Sequence, residues 1–181
     1  MSKDYLDLKQ FIRTVDDFPI SGIEFRDITS LIENPKAFVK TCNELTKITK
    51  NFRADIVTSI ESRGFIFAAT IARDLNLPFV LARKPGKLPN ETFKKSFNLE
   101  YGSTSIEIQK NTKINKDHKI IIVDDLVATG GTALACAEIF LENFNIMKSN
   151  ILILSVIDLP DLGGSKKIID KGLHIKTLME F

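Results

Sequence analysis

The amino-acid sequence predicts an α/β protein, a single domain built on an open, mostly parallel, twisted sheet flanked by helices. Apolar runs rich in β-branched residues recur at Asp55–Ile60, Phe79–Ala82, Lys119–Val123 and Asn150–Ile157. Such runs lack the polar alternation of a half-exposed strand, as strands buried on both faces do. Segments of helical period separate them, and alternating strands and helices build a parallel sheet. The 181 residues suffice for one domain, 1–181, with a sizeable core, and no repeat, low-complexity tract or linker divides them.

Taken in order, Asp4–Arg13 reads as a short amphipathic helix. Asp16–Ser30 mixes Pro, Gly and aromatics without a helical period and reads as an ordered loop. Residues 1–32 together make a small N-terminal hood. Asn34-Pro35 supplies an N-cap and a proline at the first helical position. The helix then runs to about Lys50, with Phe38, Cys42, Leu45 and Ile48 on one stripe. The strand Asp55–Ile60 ends at Glu61-Ser62-Arg63-Gly64. Phe65–Leu75 is a second helix, whose Ala68, Ala69 and Ala72 permit close approach to a sheet. Phe79–Ala82 enters the basic turn Arg83–Pro89. Thr92–Ile108 alternates loosely around Gly102-Ser103, as an antiparallel flap does, and the flap region spans 84–108. The strand Lys119–Val123, the helix Ala133–Asn145 and the strand Asn150–Ile157 follow. A Gly163-Gly164 break, a short helix to Lys171 and a strand near His174–Leu178 close the chain.

A hydrophobic content of 44% and a charged content of 27% are those of a soluble globular protein. A net charge of +2 gives no reason to expect nucleic acid as a partner. Cys42 and Cys136 match no metal-ligand spacing and read as buried thiols in a reducing compartment. The charged N-terminus is unlike a signal peptide, and no apolar run nears the roughly 20 residues that span a bilayer. A cytoplasmic protein without a membrane partner is expected.

The chemistry gathers at strand ends. Ile120–Val123 runs into Asp124 and Asp125, then Leu126-Val127 and the loop Ala128-Thr129-Gly130-Gly131-Thr132, and then a helix. A Gly/Thr loop before a helix offers backbone N–H groups to phosphate. Two adjacent carboxylates need solvent, donors or a cation, so they serve another part of the ligand, such as sugar hydroxyls. Ser62-Arg63 and the turn carrying Arg83, Lys84 and Lys87 also follow strands, and ligands of open α/β sheets bind at that edge. Guanidinium forks grip phosphate oxygens. A ligand with phosphate at one end, pyrophosphate at the other and hydroxyls between would fit.

The run Val123–Thr132 resembles the signature of the type I phosphoribosyltransferases. Glu61–Phe65, Arg83–Pro89, Phe18–Ile28 and Leu99–Gly102 with Ile106–Lys110 are similar to the loops, hood and flap of the adenine-specific members. The resemblance spans Asp16 to Thr132. It implies the fold of that family, transfer of the 5-phosphoribosyl group from phosphoribosyl pyrophosphate to adenine giving AMP and pyrophosphate, and a homodimer. It also implies Mg²⁺ held mainly by the substrate, with no metal bound directly by the protein. On it, Ala128, Thr129, Gly130, Gly131 and Thr132 take the 5′-phosphate, and Asp124 and Asp125 face the ribose hydroxyls and the charge developing on the sugar. Ser62, Arg63, Arg83, Lys84 and Lys87 take pyrophosphate, Lys87 from either subunit, and in the family the peptide at the position of Ser62-Arg63 is often cis. Phe25 and Leu126 sandwich adenine, with recognition by the backbone near Glu24 and Arg26. Glu100 is the acid/base group, and Tyr101 closes with the flap. This chain has Pro85 where some members carry a second arginine, and Glu24 where a small apolar residue is common.

A non-catalytic sensor of phosphoribosyl pyrophosphate is the alternative from another class. Such proteins usually carry a separate nucleic-acid-binding module, for which this chain has no room. The Gly-x-Gly-x-x-Gly and Gly-Lys-[Ser/Thr] signatures of Rossmann and P-loop proteins are absent from the sequence.

Overall fold

The computed structural model of the chain describes residues 8–99 and 102–181. Its centre is a five-stranded parallel sheet. β3 (Ile56–Ile60), β4 (Phe79–Ala82), β7 (Ile120–Val127), β8 (Ile151–Asp158) and β9 (His174–Glu180) stand in the order β4-β3-β7-β8-β9. β3 and β8 are buried along their whole length, and the hydroxyls of Thr58, Ser59 and Ser155 that interrupt their apolar residues donate to the Val80, Val123 and Ile157 carbonyls. Successive residues of β7 feed opposite faces. Ile121 and Val123 pack with Leu45, Phe67 and Ile71 from α2 (Pro35–Phe52) and α3 (Gly64–Leu75). Ile120 and Ile122 pack with Ala137 and Phe140 of α4 (Gly131–Asn143) and Ile168 of α5 (Gly164–Asp170). Phe67 and Phe140, both fully enclosed, are the largest members of the two layers, and truncating either to alanine costs about 3–5 kcal/mol.

The caps behave as the sequence indicates. Asn34 Oδ1 accepts the Ala37 N–H at 3.0 Å, Pro35 opens α2, and Arg53 in the left-handed region ends it. Thr41 and Thr49 interrupt the apolar stripe at no cost in unpaired hydroxyls, because they donate to the Ala37 and Leu45 carbonyls at 2.9 Å. Cys42 and Cys136 are buried and unpaired, and burial pushes both thiols above their ordinary range.

Two elements differ from the sequence expectation. The central strand does not end at Val123. β7 runs on to Val127, with Leu126 and Val127 aligned with Ile157 and Asp158 of β8. The eight-residue β8 supplies a ladder that the carboxylates' low strand propensity does not break. The N-terminal hood contains β1 (Arg13–Val15) paired antiparallel with β2 (Phe25–Asp27), followed by α1 (Thr29–Glu33). The helix expected over Asp4–Arg13 lies partly outside the described residues, and Arg13 itself is in β1.

The flap is an antiparallel hairpin of β5 (Thr92–Leu99) and β6 (Gly102–Gln109) in register from Thr92↔Gln109 to Leu99↔Gly102. Arg83 and Glu107 exchange both backbone hydrogen bonds, at 2.9 and 2.8 Å, and so dock the hairpin beside β4. Phe93 meets Phe144 edge-on at 5.3 Å. Lys95 contacts Glu138 at 3.1 Å and Glu142 at 2.5 Å on α4. No helix among the described residues is long and apolar enough to cross a membrane.

Candidate active site

A cleft of about 460 Å³ opens at the C-terminal ends of β3 and β7. The strand ends contribute Ser62, Arg63, Asp124, Asp125 and Leu126, with Lys84 and Thr132 at its margins. An adjoining hollow of about 170 Å³ is lined by Ala128–Thr132 and touches Asp124 and Leu126. Parallel pairing of neighbouring strands places these sequence-distant groups on one edge.

The pairing of α3 with β7 depends on Gly64. A Cβ there would stand 2.6 Å from Ser59 Oγ, 2.8 Å from the Val123 carbonyl oxygen and 3.1 Å from Asp124 Cα. Only glycine lets the first turn of α3 approach β7 so closely, which brings Arg63 to the carboxylates. Arg63 Nε lies 2.7 Å from Asp125 Oδ2. That oxygen is enclosed and has no aligned hydrogen-bond donor, so the contact is an ion pair. The Arg63 guanidinium also stands over the Phe25 ring, 5.4 Å from its centroid, and Phe18 meets that ring edge-on at 5.0 Å. Among the described residues the non-proline cis peptide is Glu61–Ser62, one bond before the Ser62-Arg63 position at which the family's is often found. It lies immediately after Ile60, where the chain leaves β3.

Glu61 organises the basic turn. Arg83 Nε and Nη2 each donate to its carboxylate at 3.2 Å, and the Lys84 N–H donates at 3.1 Å. Arg83 Nη1 donates to the Lys87 carbonyl at 3.0 Å, which folds the turn upon itself. The Arg83 hydrogen bonds hold the Glu61 carboxyl below its ordinary pKa. Sequence inspection did not single out Glu61 for this task, because its partner lies 22 residues away. Phe97, Thr104 and Ser105, which line the cleft from the flap, were missed for the same reason. Only the period-2 alternation of β5, with Phe93, Lys95 and Phe97 on one side, signalled which face turns inward.

Asp125 is 5% exposed, and Asp124 is half-buried beside it. The Asp125 N–H donates to Asp124 Oδ1 at 2.9 Å. Burial, then the charge of Asp125, push the Asp124 carboxyl well above the ordinary range. Asp125 is raised by burial and pulled back by Arg63. A pair in that condition favours added positive charge. In the loop, Gly130 adopts φ +74°, α4 starts at the next residue, and its first residues, Gly131–Ala133, line the smaller hollow at the helix end that leaves N–H groups unpaired.

Ser62, Arg63, Lys84, Asp124, Asp125, Leu126 and Thr132 therefore share one cleft, with Ala128, Thr129, Gly130 and Gly131 next to it. Phe25 reaches the group through Arg63. Arg83 stands behind Lys84 on Glu61, and Lys87 is exposed on the turn. The Arg26 side chain turns elsewhere, to Glu24 at 2.7 Å, to the Thr14 hydroxyl and over the Phe181 ring. Glu100 and Tyr101 lie outside the described residues. On the flap, Lys94 is exposed, whereas Lys95 is engaged by two glutamates.

A parallel sheet presenting a carboxylate pair between a cation cluster and a Gly/Thr loop is the arrangement of a phosphoribosyl-binding transferase. Residues 29–172 match the phosphoribosyl transferase domain family. The adenine phosphoribosyltransferase of Pelagibacter ubique is 43% identical over 179 residues, 97% of this chain and 98% of that protein. The crystal structure of the adenine phosphoribosyltransferase of Thermoanaerobacter pseudethanolicus aligns with a TM-score of 0.88 at 39% identity, covering 98% of this chain and 99% of that one. That of the Giardia lamblia enzyme complexed with 9-deazaadenine aligns with a TM-score of 0.90 at 33% identity, over 98% and 97%. The chain belongs to the phosphoribosyltransferase family and, within it, to the adenine phosphoribosyltransferases.

Proposed function

We propose that the chain transfers the 5-phosphoribosyl group of phosphoribosyl pyrophosphate to adenine, giving AMP and pyrophosphate, in the cleft at the ends of β3 and β7. The observation that carries this is the Asp124–Asp125 pair, set between the Arg63 and Lys84 cations and the Ala128–Thr132 loop. The loop amides and threonine hydroxyls hold the 5′-phosphate. Asp124 and Asp125 accept the ribose hydroxyls. As the bond from C1 to pyrophosphate breaks, positive charge on the sugar meets a carboxylate pair whose second ionisation burial had disfavoured, and this lowers the barrier. Adenine N9 then bonds to C1, and its proton passes to Glu100. Tyr101 closes over the centre and keeps water from the activated sugar.

Arg63 exchanges its carboxylate partner for pyrophosphate oxygens, leaving the face of Phe25 free for adenine, with Leu126 on the base's other side. Specificity rests on the backbone near Arg26, whose side chain is already engaged. Arg83, Lys84 and Lys87 take the leaving group. Mg²⁺ held mainly by the substrate would neutralise charge on the pyrophosphate. Hard carboxylate oxygens fit it, and ligation by one or two carboxylates plus substrate phosphates is its usual habit. Among the described residues no three His, Cys, Asp or Glu side chains gather to hold a metal ion.

The enzyme acts as a cytoplasmic homodimer. Leu81 on the edge strand β4, two residues before the basic turn, and Ile66 on α3 are exposed apolar side chains that a second copy could cover. Purified protein supplied with adenine, Mg²⁺ and phosphoribosyl pyrophosphate should yield AMP and pyrophosphate in equal amounts, and Asp125→Asn should abolish both. Tight binding of the sugar pyrophosphate with no product from any base would instead favour a sensor.

A further inference from the structure

The break at Gly163-Gly164 lies far along the chain from every motif of the site, yet it touches the loop assigned to the 5′-phosphate. The connection from β8 to α5 is stitched to the end of β7 by two hydrogen bonds. The Leu159 N–H donates to the Val127 carbonyl, and the Gly164 N–H to the Ala128 carbonyl, both at 3.0 Å. At the second stitch the two backbones meet with no side chain between them. A Cβ on Gly164 would stand 2.2 Å from the Ala128 carbonyl oxygen and 2.7 Å from the Gly130 nitrogen. A Cβ on Gly130 would in turn stand 2.9 Å from the Gly164 carbonyl oxygen.

We infer that Gly164 is a positioning residue for phosphoribosyl transfer: its bare backbone fixes the Ala128–Thr132 loop in the conformation that receives the 5′-phosphate. This rests on assigning that loop to the phosphate. The loop's own residues set which groups can point at the ligand, with Gly130 at φ +74°. They do not set where the loop lies relative to α5. A single added methyl group would push the Ala128 carbonyl by about 1 Å to restore ordinary contact. The amide donors of the same loop move with it, and displacements of that size are felt in geometry-dependent binding.

Gly163 provides a matched control. It has φ +70°, and a methyl group added there would meet nothing within 4 Å, so Gly163→Ala strains the start of α5 without reaching the loop. Both variants should lower the melting temperature. Only Gly164→Ala should also raise KM for phosphoribosyl pyrophosphate and the Kd for ribose 5-phosphate, each by about tenfold or more. KM for adenine at saturating phosphoribosyl pyrophosphate should stay within about twofold, because a uniform binding contact is lost and not one peculiar to the base.

Hydrogen exchange on the unmodified protein gives a second test that needs no variant to fold. Coupling between loop and buttress is reciprocal, so ribose 5-phosphate should slow exchange of the Gly164 and Leu159 amides. The Gly172 amide, bonded to the Ile169 carbonyl at 2.8 Å, should be unaffected. If the unmodified protein does not bind ribose 5-phosphate, the assignment of the loop is wrong. If it binds but Gly164→Ala matches Gly163→Ala in KM and Kd, or the Gly164 amide is unchanged on binding, the positioning role is overturned and the loop assignment stands.

Discussion

Glu61→Gln isolates the residue that ties the basic turn to the end of β3. The glutamate accepts two guanidinium hydrogen bonds at 3.2 Å and the Lys84 N–H at 3.1 Å. Its side chain is 15% exposed and that of Arg83 30%. Hydrogen bonds to charged groups contribute about 1.5–3 kcal/mol against roughly 1 for neutral ones. Discounted for cleft water, the substitution should cost about 1–2 kcal/mol. For a chain of this length that lowers Tm by roughly 2–8 °C. The carboxyl's pKa in the folded protein is below its ordinary 4.5, so its contribution is complete above the unfolded value and is lost as pH falls through the folded one. Thermal denaturation of both proteins should therefore show the full gap at pH 7, shrinking as pH drops below about 4.5. KM for phosphoribosyl pyrophosphate should rise severalfold as the turn loses its anchor. Equal melting temperatures at pH 7, or a gap that ignores pH, would refute the ion-pair argument.

Two other perturbations follow from the same geometry. Asp124 has a raised pKa, so the folded protein binds a proton that the unfolded chain has released, and stability falls as pH rises through the folded value. Asp124→Asn should therefore stabilise the ligand-free protein at neutral and alkaline pH in denaturant titrations while cutting kcat by at least about a hundredfold; a destabilised variant would contradict this. Lys95→Met releases the flap from Glu138 and Glu142. Because Glu142 is 53% exposed, the stability cost should stay under about 1 kcal/mol. Hydrolysis of phosphoribosyl pyrophosphate without adenine should increase as the hairpin loosens, and unchanged hydrolysis would remove the flap clamp from the account.

Much of the fold was legible because burial leaves a mark on composition. Strands such as Ile151–Asp158, enclosed at every position, read as predominantly apolar runs without polar alternation, and Asn34-Pro35 announced the start of α2. Asp124 and Asp125 stood out because adjacent carboxylates behind such a run need a reason. What escaped notice was non-local or short. The three-residue strands β1 and β2 are too brief to show a period, and the extension of β7 to Val127 depends on a partner strand. Glu61 with Arg83, and Gly164 with Ala128, meet only once the sheet has brought distant turns to one edge.

The central claim is specificity for adenine at a phosphoribosyl site, and a base-competition assay tests it most directly. Adenine, hypoxanthine, guanine and uracil are offered together with Mg²⁺ and phosphoribosyl pyrophosphate, and nucleotide products are resolved chromatographically. AMP should appear alone and in step with pyrophosphate. Turnover of hypoxanthine or guanine with adenine left untouched would contradict the account.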